Sequence, residues 1–240
     1  MCDLCGDARH AAQVSRRDFL RTGAVAALAP WSIGAAMAAD PPAPNVIAPA
    51  DALKRLIDGN ARYAANMPNE RDFSAGRAAR AQAQYPIAGI LSCADSRVAP
   101  ELAFDQGPGD LFVVRVAGNI LNPDLLASLE YGVQFLGTPL VLVLGHTGCG
   151  AVDAAIKVLK AKAVLPGRLP ELIAEIKPAV IAAQKAKSGD LLDNAIIENV
   201  RRQVSRLKNS PPVVQERYAA GKIDIVGAVY DLQTGKIALA

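Results

Sequence analysis

Four short, mainly apolar runs lie between residues 87 and 229 of the chain. They cover residues 87–91, 111–116, 140–144 and 223–229. Runs of this length without polar alternation are typical of strands buried on both faces of a parallel sheet. Helical patterns separate the runs, so right-handed crossovers and helices on both faces of the sheet are expected.

Helical spacing of apolar residues occurs in three stretches. Residues 51–66 predict a helix that Gly59 interrupts, residues 123–136 predict one that ends at Gly137, and residues 151–208 form a long helical region punctuated by prolines and Gly189. Thr234-Gly235 then signals a hairpin into residues 236–239. The prediction is an α/β fold with a mainly parallel β-sheet, in which four parallel strands and one antiparallel edge strand are flanked by helices.

Composition and charge limit the possible partners. The chain has 240 residues, of which 51% are hydrophobic, and a formal net charge of +3. This composition suits one globular domain of ordinary size. The basic residues are scattered rather than gathered into a tract that could neutralise a phosphate backbone, so no nucleic-acid partner is expected.

The first forty residues predict an export signal. Arg16 and Arg17 precede an uncharged stretch rich in Ala and Gly, and small residues around Ala38 suit a signal peptidase. We expect a twin-arginine signal peptide over residues 1–38, a linker over 39–50 and the domain over 51–240. The protein would then use the twin-arginine export machinery and reach the periplasm, with no stable membrane insertion. The alternative of an uncleaved membrane anchor is less favoured, because the stretch is only weakly apolar.

Three candidate metal ligands follow two of the predicted strands. Cys93 comes directly after the first strand, and His146 and Cys149 come directly after the third. Ligands of parallel sheets gather beyond the carboxyl ends of strands, so these three side chains can converge. Two sulfurs and one imidazole suit zinc, and three protein ligands leave a fourth position for water.

Each of these features also has an ordinary explanation. A cysteine at a strand end is usually a small buried hydrophobic residue, and Cys2-x-x-Cys5 near His10 lacks a fourth ligand. The glycines at 145, 148 and 150 could form a phosphate-binding turn, but their spacing is not that of a dinucleotide site. Asp95 and Arg97 share the loop with Cys93, and could form either an ordinary surface ion pair or a clamp that keeps Asp95 ionised beside the metal.

The segments 93–97, Cys-Ala-Asp-Ser-Arg, and 146–150, His-Thr-Gly-Cys-Gly, together resemble the paired signature of the β-class carbonic anhydrases. Further similar segments occur in the family's order at residues 56–63, 108–115, 128–131 and 227–232. The resemblance therefore covers the chain from about Asp51 onward. It implies one Zn²⁺ per subunit held by Cys93, His146 and Cys149, with Asp95 and Arg97 as the catalytic dyad.

The resemblance also implies a substrate pocket at a subunit interface. Gln84 stands nine residues before Cys93, as in the plant-like branch of the family, and would hydrogen-bond a substrate oxygen. Phe112 and Tyr131 would line the pocket, and the Gly150 amide would lie at its rim. Several of these residues would come from the partner subunit, so a homodimer or higher homo-oligomer is expected.

The reaction expected from the resemblance is the reversible hydration of carbon dioxide to bicarbonate and a proton by zinc-bound hydroxide. Two alternatives remain open at this point. The same site could hydrolyse carbon disulfide or carbonyl sulfide, which are also linear and apolar, or the protein could bind zinc or bicarbonate without catalysis. Intact Asp95, Arg97 and Gln84 favour an enzyme.

Overall fold

The computed structural model describes residues 43–240, so the predicted signal peptide and the Cys2–Cys5 motif lie outside the described residues. Five strands form one sheet in the order β2-β1-β3-β4-β5. Strands β1 to β4 are parallel, and β5 pairs antiparallel with β4 at the edge. The strands are β1 (Ala88–Ser92), β2 (Leu111–Arg115), β3 (Leu140–His146), β4 (Asp224–Tyr230) and β5 (Ile237–Leu239).

Eight helices connect and cover the strands in the described part of the chain. They are α1 (Pro49–Ala64), α2 (Arg77–Gln82), α3 (Pro100–Ala103), α4 (Pro123–Phe135), α5 (Gly150–Ala161), α6 (Leu169–Ala183), α7 (Leu191–Lys208) and α8 (Val213–Ala219). A short 3-10 turn, Ala117–Asn119, follows β2. Within residues 43–240, none of the helices has the length and apolar character needed to cross a bilayer.

The predicted architecture is confirmed, with differences of one or two residues at strand ends. The prediction that Gly59 interrupts the first helix is wrong, because α1 continues through it. A Cβ at this position would lie 1.9 Å from the Phe104 carbonyl oxygen, so the glycine permits close packing there. Asn45, in the segment predicted to be a linker, is buried and donates hydrogen bonds to the carbonyls of Pro86 and Leu136.

Apolar side chains cover both faces of the sheet. On one face, Leu142 and Leu144 of β3 pack in a cluster with Leu56 of α1. On the other, Val141 and Val143 pack with residues of α4 and α7. The alternation along β3 explains why this strand is entirely buried, as the continuous apolar run predicts.

Helix α7 packs closely against the end of β3 and the middle of β4. A Cβ at Gly145 or at Gly227 would come within 2.6 Å of a methyl group of Val200, which is fully buried. Real Cβ atoms do not approach other carbons so closely, so glycine at both positions allows the helix to rest directly on the sheet. Val200 therefore fixes the distance between α7 and the strand that ends in His146.

The Gly227→Ala variant tests this contact. We expect it to lower the free energy of unfolding by about 1–3 kcal/mol, because the added methyl overpacks the interface with Val200. Urea unfolding of Gly227→Ala, Val200→Ala and the double variant forms a double-mutant cycle. Removing the Val200 methyls should relieve the clash, so the double variant should lose less stability than the sum of the two single losses. Strict additivity would contradict direct contact at this position.

Candidate metal centre

The three predicted metal ligands meet at the carboxyl edge of the sheet. Strands β1 and β3 are parallel neighbours, so Cys93 after β1 and His146 at the end of β3 lie side by side. Cys149 comes at the start of α5. One ligand atom from each of these residues lies within 4.8 Å of the others, and all three residues are buried.

His146 presents one ring nitrogen toward the two sulfurs. Its Nδ1 lies 2.9 Å from the Thr147 carbonyl oxygen, which can only accept a hydrogen bond. Nδ1 therefore carries the proton, and Nε2 keeps a free lone pair. Nε2 is buried and has no hydrogen-bond partner among residues 43–240. Such a buried acceptor is costly unless it binds something, and a metal ion satisfies it.

The two thiols shift each other's pKa in opposite directions. A hydrogen bond from the Cys149 thiol lowers the pKa of Cys93 to about 4. The Gly118 N–H, 3.3 Å from the Cys93 sulfur, lowers this pKa further. The same contact with Cys93, and then burial, raises the pKa of Cys149. The opposite shifts favour a thiolate at Cys93 and a thiol at Cys149, whose proton a bound metal would displace.

This donor set fits zinc. Two thiolate sulfurs and a neutral imidazole are ligands that zinc favours, and the buried Nε2 of His146 supplies the lone pair that binding needs. Three protein ligands leave one coordination position for a water molecule or substrate, as in catalytic rather than structural zinc sites.

Asp95 and Arg97 form a two-pronged ion pair beside the ligands. Arg97 Nε donates to Asp95 Oδ1 at 2.9 Å and Nη2 donates to Oδ2 at 2.7 Å, while the Arg97 N–H also donates to Oδ1. The Arg97 side chain holds the pKa of Asp95 far below its usual range, although partial burial opposes this. Asp95 Oδ2 lies 3.7 Å from His146 Nε2, so an ionised carboxylate borders the metal position.

Arg115 supports the Cys93 loop, a role that the sequence analysis missed. Its guanidinium donates to three backbone carbonyls, those of Cys93 at 3.0 Å and of Asp95 and Val98 at 2.7 Å each. Arg115 ends β2 at the same sheet edge as Cys93. A charged residue at the end of a buried strand was the one feature of the sequence that pointed to this role. The carbonyls themselves leave no trace in the sequence.

Three of the four residues expected to bind substrate, Gln84, Phe112 and Tyr131, do not join the metal ligands within one chain. Gln84 is exposed on the loop that enters β1, at the opposite end of the strand from Cys93. Phe112 is paired in register with Gly89, roughly 13 Å along β1 from Cys93 at the usual rise per residue. Its ring contacts that of Tyr131, with 6.3 Å between centroids. The expected set is therefore divided between the two ends of the sheet.

Gly150 does lie beside the metal ligands, as the first residue of α5 directly after Cys149. It is exposed, and a Cβ built there would have no heavy atom of the described chain within 4 Å. Packing inside the chain therefore does not require glycine here, and the space that a Cβ would occupy is open.

Comparison with known proteins agrees with this geometry. The family model described as "Carbonic anhydrase" matches residues 88–237. The chain is 38% identical over 192 residues to the carbonic anhydrase of Mycolicibacterium smegmatis, covering 80% of this chain and 93% of that protein. It is also 38% identical to carbonic anhydrase 2 of Mycobacterium tuberculosis, covering 80% of this chain and 92% of that protein.

Among solved structures, the fold resembles a Coccomyxa β-carbonic anhydrase with a TM-score of 0.62 and 29% identity, covering 78% of this chain and 85% of that one. The sequence match spans more than half of the chain and includes all three metal ligands. The α/β fold and the cluster of Cys93, His146 and Cys149 agree with this match. The chain therefore belongs to the β-class carbonic anhydrase family.

Proposed function

We propose that this protein catalyses the reversible hydration of carbon dioxide to bicarbonate and a proton, with one zinc ion per subunit. The observation that carries the proposal is the convergence of Cys93, His146 and Cys149 around a buried imidazole nitrogen that has no partner among the described residues. When bound, zinc lowers the pKa of water and so supplies a nucleophile near neutral pH.

Asp95 orients that nucleophile. Arg97 keeps the carboxylate ionised and fixes both of its oxygens, one of which faces His146. An ionised carboxylate only accepts hydrogen bonds, so it holds the proton of a neighbouring water and directs the water's free lone pair toward the substrate carbon. Arg97 acts through Asp95 and keeps it in place.

The two sulfurs belong to a cluster of apolar side chains. Ile120 and Val152 are buried in the same cluster as Cys93 and Cys149, and Val116 packs against it. Such a surface receives an apolar molecule such as carbon dioxide and excludes competing water, whereas charged bicarbonate is held weakly there and leaves.

We also propose that the chain belongs to the plant-like branch and forms a homodimer in which each subunit completes its partner's site. Gln84, Phe112 and Tyr131 lie away from the metal ligands of their own chain. Tyr131 and its neighbour Phe135 expose 49% and 73% of their surface, with 5.4 Å between their ring centroids. An exposed aromatic patch of this kind is suited to burial against a second subunit.

Export is a separate proposal, supported by the sequence around Arg16 and Arg17. A twin-arginine route carries folded proteins, so zinc could bind in the cytoplasm while Cys93 and Cys149 are reduced. Both thiols are free and buried next to each other, and bound zinc would protect them from oxidation in the periplasm.

A stopped-flow assay of carbon dioxide hydration tests the proposed reaction. The zinc-loaded protein should be active, and Asp95→Asn should lower kcat/KM about 10-fold to 100-fold without loss of zinc, because the nucleophile loses its orienting acceptor. Asp58→Asn, which removes an exposed carboxylate paired with Lys54, is the matched control and should leave the rate unchanged. Hydrolysis of carbon disulfide or carbonyl sulfide without carbon dioxide hydration, or zinc binding without either activity, would refute the proposal in favour of one of the alternatives.

Heterodimers test whether Gln84 acts across the interface. Two differently tagged chains, Cys149→Ser and Gln84→Ala, are co-expressed and the mixed dimer is purified through both tags. If Gln84 serves the partner's zinc, one site per mixed dimer is complete, and roughly half of the wild-type rate returns although each homodimeric variant is impaired.

The control heterodimer places the same two substitutions in one chain, paired with a wild-type chain. The intact zinc site then faces a partner that lacks the glutamine side chain, so activity should stay low. The reverse result, with the control dimer active and the first dimer inactive, would show that Gln84 acts within its own chain. Equal rates for both dimers would show that Gln84 has no part in the reaction.

Replacement of both Arg16 and Arg17 by Lys tests the export route. In a bacterium with twin-arginine machinery, the variant should accumulate uncleaved in the cytoplasmic fraction, because that machinery recognises the arginine pair. Arg21→Lys, in the same segment, is the control and should still be exported. Cleaved double-Lys protein in the periplasmic fraction would rule out the route.

A further inference from the structure

Two amide side chains lie on the buried face of α7. Asn199 is 1% exposed and Gln203 is fully buried, and their spacing of four residues places them on the same side of the helix. The neighbouring positions on that face, Ile196, Val200 and Leu207, are apolar and buried. Burying two amides there is unfavourable unless their polar atoms find partners.

Both amides bind the turn that follows β2. Asn199 Nδ2 donates to the Gly118 carbonyl at 2.8 Å, and the Leu121 N–H donates to Gln203 Oε1 at 3.1 Å. Gln203 Nε2 donates to Asn199 Oδ1 at 3.2 Å, which joins the two side chains. These contacts fix the orientation of each amide, so α7 holds the turn at Gly118 and the chain just after it at Leu121.

The same turn also contacts a metal ligand. The Gly118 N–H donates to the Cys93 sulfur at 3.3 Å. Gly118 has a φ of 75°, which glycine adopts without strain, and a Cβ there would lie 2.6 Å from the Ile176 side chain. Gly118 is thus held on two sides, by Asn199 at its carbonyl and by Cys93 at its N–H.

We propose that Asn199 and Gln203 are positioning residues for the metal site, acting through Gly118 on the sulfur of Cys93. The inference rests on the proposed function, because it assigns these residues to the zinc site. A hydrogen bond from a backbone N–H orients a ligating thiolate and withdraws electron density from it, so the residues that aim the N–H tune the metal. Asn199 bonds Gly118 directly and has the larger effect, whereas Gln203 acts by holding Asn199 and Leu121.

Asn199→Leu removes the hydrogen bonds while nearly keeping the side-chain volume, and Gln203→Met does the same one step further from the sulfur. Leu207→Ala is the control, because it opens a cavity in the buried face of α7 but removes none of the hydrogen bonds to residues 117–121. Wild type and all three variants are loaded with cobalt(II), whose sulfur-to-metal charge-transfer band reports the electron density on the thiolates. Zinc affinity is measured alongside by competition with a chromophoric chelator.

We expect the charge-transfer band of Asn199→Leu to move to longer wavelength, because a poorly aimed Gly118 N–H withdraws less electron density from the Cys93 thiolate. Its zinc affinity should fall about 10-fold to 100-fold, because the thiolate is no longer held in the orientation that binds the metal. Gln203→Met should change both in the same direction by less, and Leu207→Ala should change neither despite its lower thermal stability. If Asn199→Leu does not fold, the comparison of Gln203→Met with Leu207→Ala decides the question.

The proposal is overturned if the folded amide variants keep the wild-type band and affinity, or if Leu207→Ala shifts them as much. These readouts do not depend on catalysis, so the two proposals fail in different ways. A wild-type protein that binds cobalt but does not hydrate carbon dioxide would refute the proposed reaction alone. A wild-type protein that binds neither metal would refute both.

Discussion

The parallel pairing of β1 with β3 is the constraint on which the metal site depends. Ser92 lies opposite Leu144 in this pairing, so Cys93 and His146 emerge together just beyond the last paired residues. Side chains alternate between the faces of a sheet, and a shift of register by one residue would turn every side chain of the shifted strand to the other face. Gly145 opposes that shift, because a slip would bring a residue with a Cβ under α7, where a Cβ would lie 2.6 Å from Val200. The positions of the ligands are fixed accordingly.

Beyond the strands, polar contacts from other elements determine the conformation of the loops that carry the ligands. Arg115 binds three carbonyls of the Cys93 loop, and Gly118 and Thr147 bind Cys93 and His146. A buried polar group without a partner costs about 1–3 kcal/mol, so alternative loop conformations that break these bonds are disfavoured. The metal ligands are therefore oriented largely by backbone groups, which the rest of the fold places.

The sequence predicted the sheet and the three metal ligands because their signals are local. Apolar runs mark the strands, and the cysteines and histidine directly follow two of them. Arg115 and Asn199 could not be assigned in this way, because their partners are backbone atoms whose direction depends on the folded turn. Gly59 misled the helix prediction for a similar reason, since the Phe104 carbonyl that requires a glycine there is distant in sequence. Gln84, Phe112 and Tyr131 stay predictions, because a single chain does not bring them to the metal.

The ligands come from two segments of the chain that are 53 residues apart at Cys93 and His146. Of these three ligands, an unfolded chain could offer at most His146 and Cys149 as a local pair, so tight binding at this site requires the native pairing of β1 with β3. A metal that binds only the folded form acts as a removable cross-link and stabilises that form in proportion to the logarithm of its free concentration. The half-life of the protein in a cell should then depend on the supply of zinc, and zinc starvation would remove the protein itself as well as its activity.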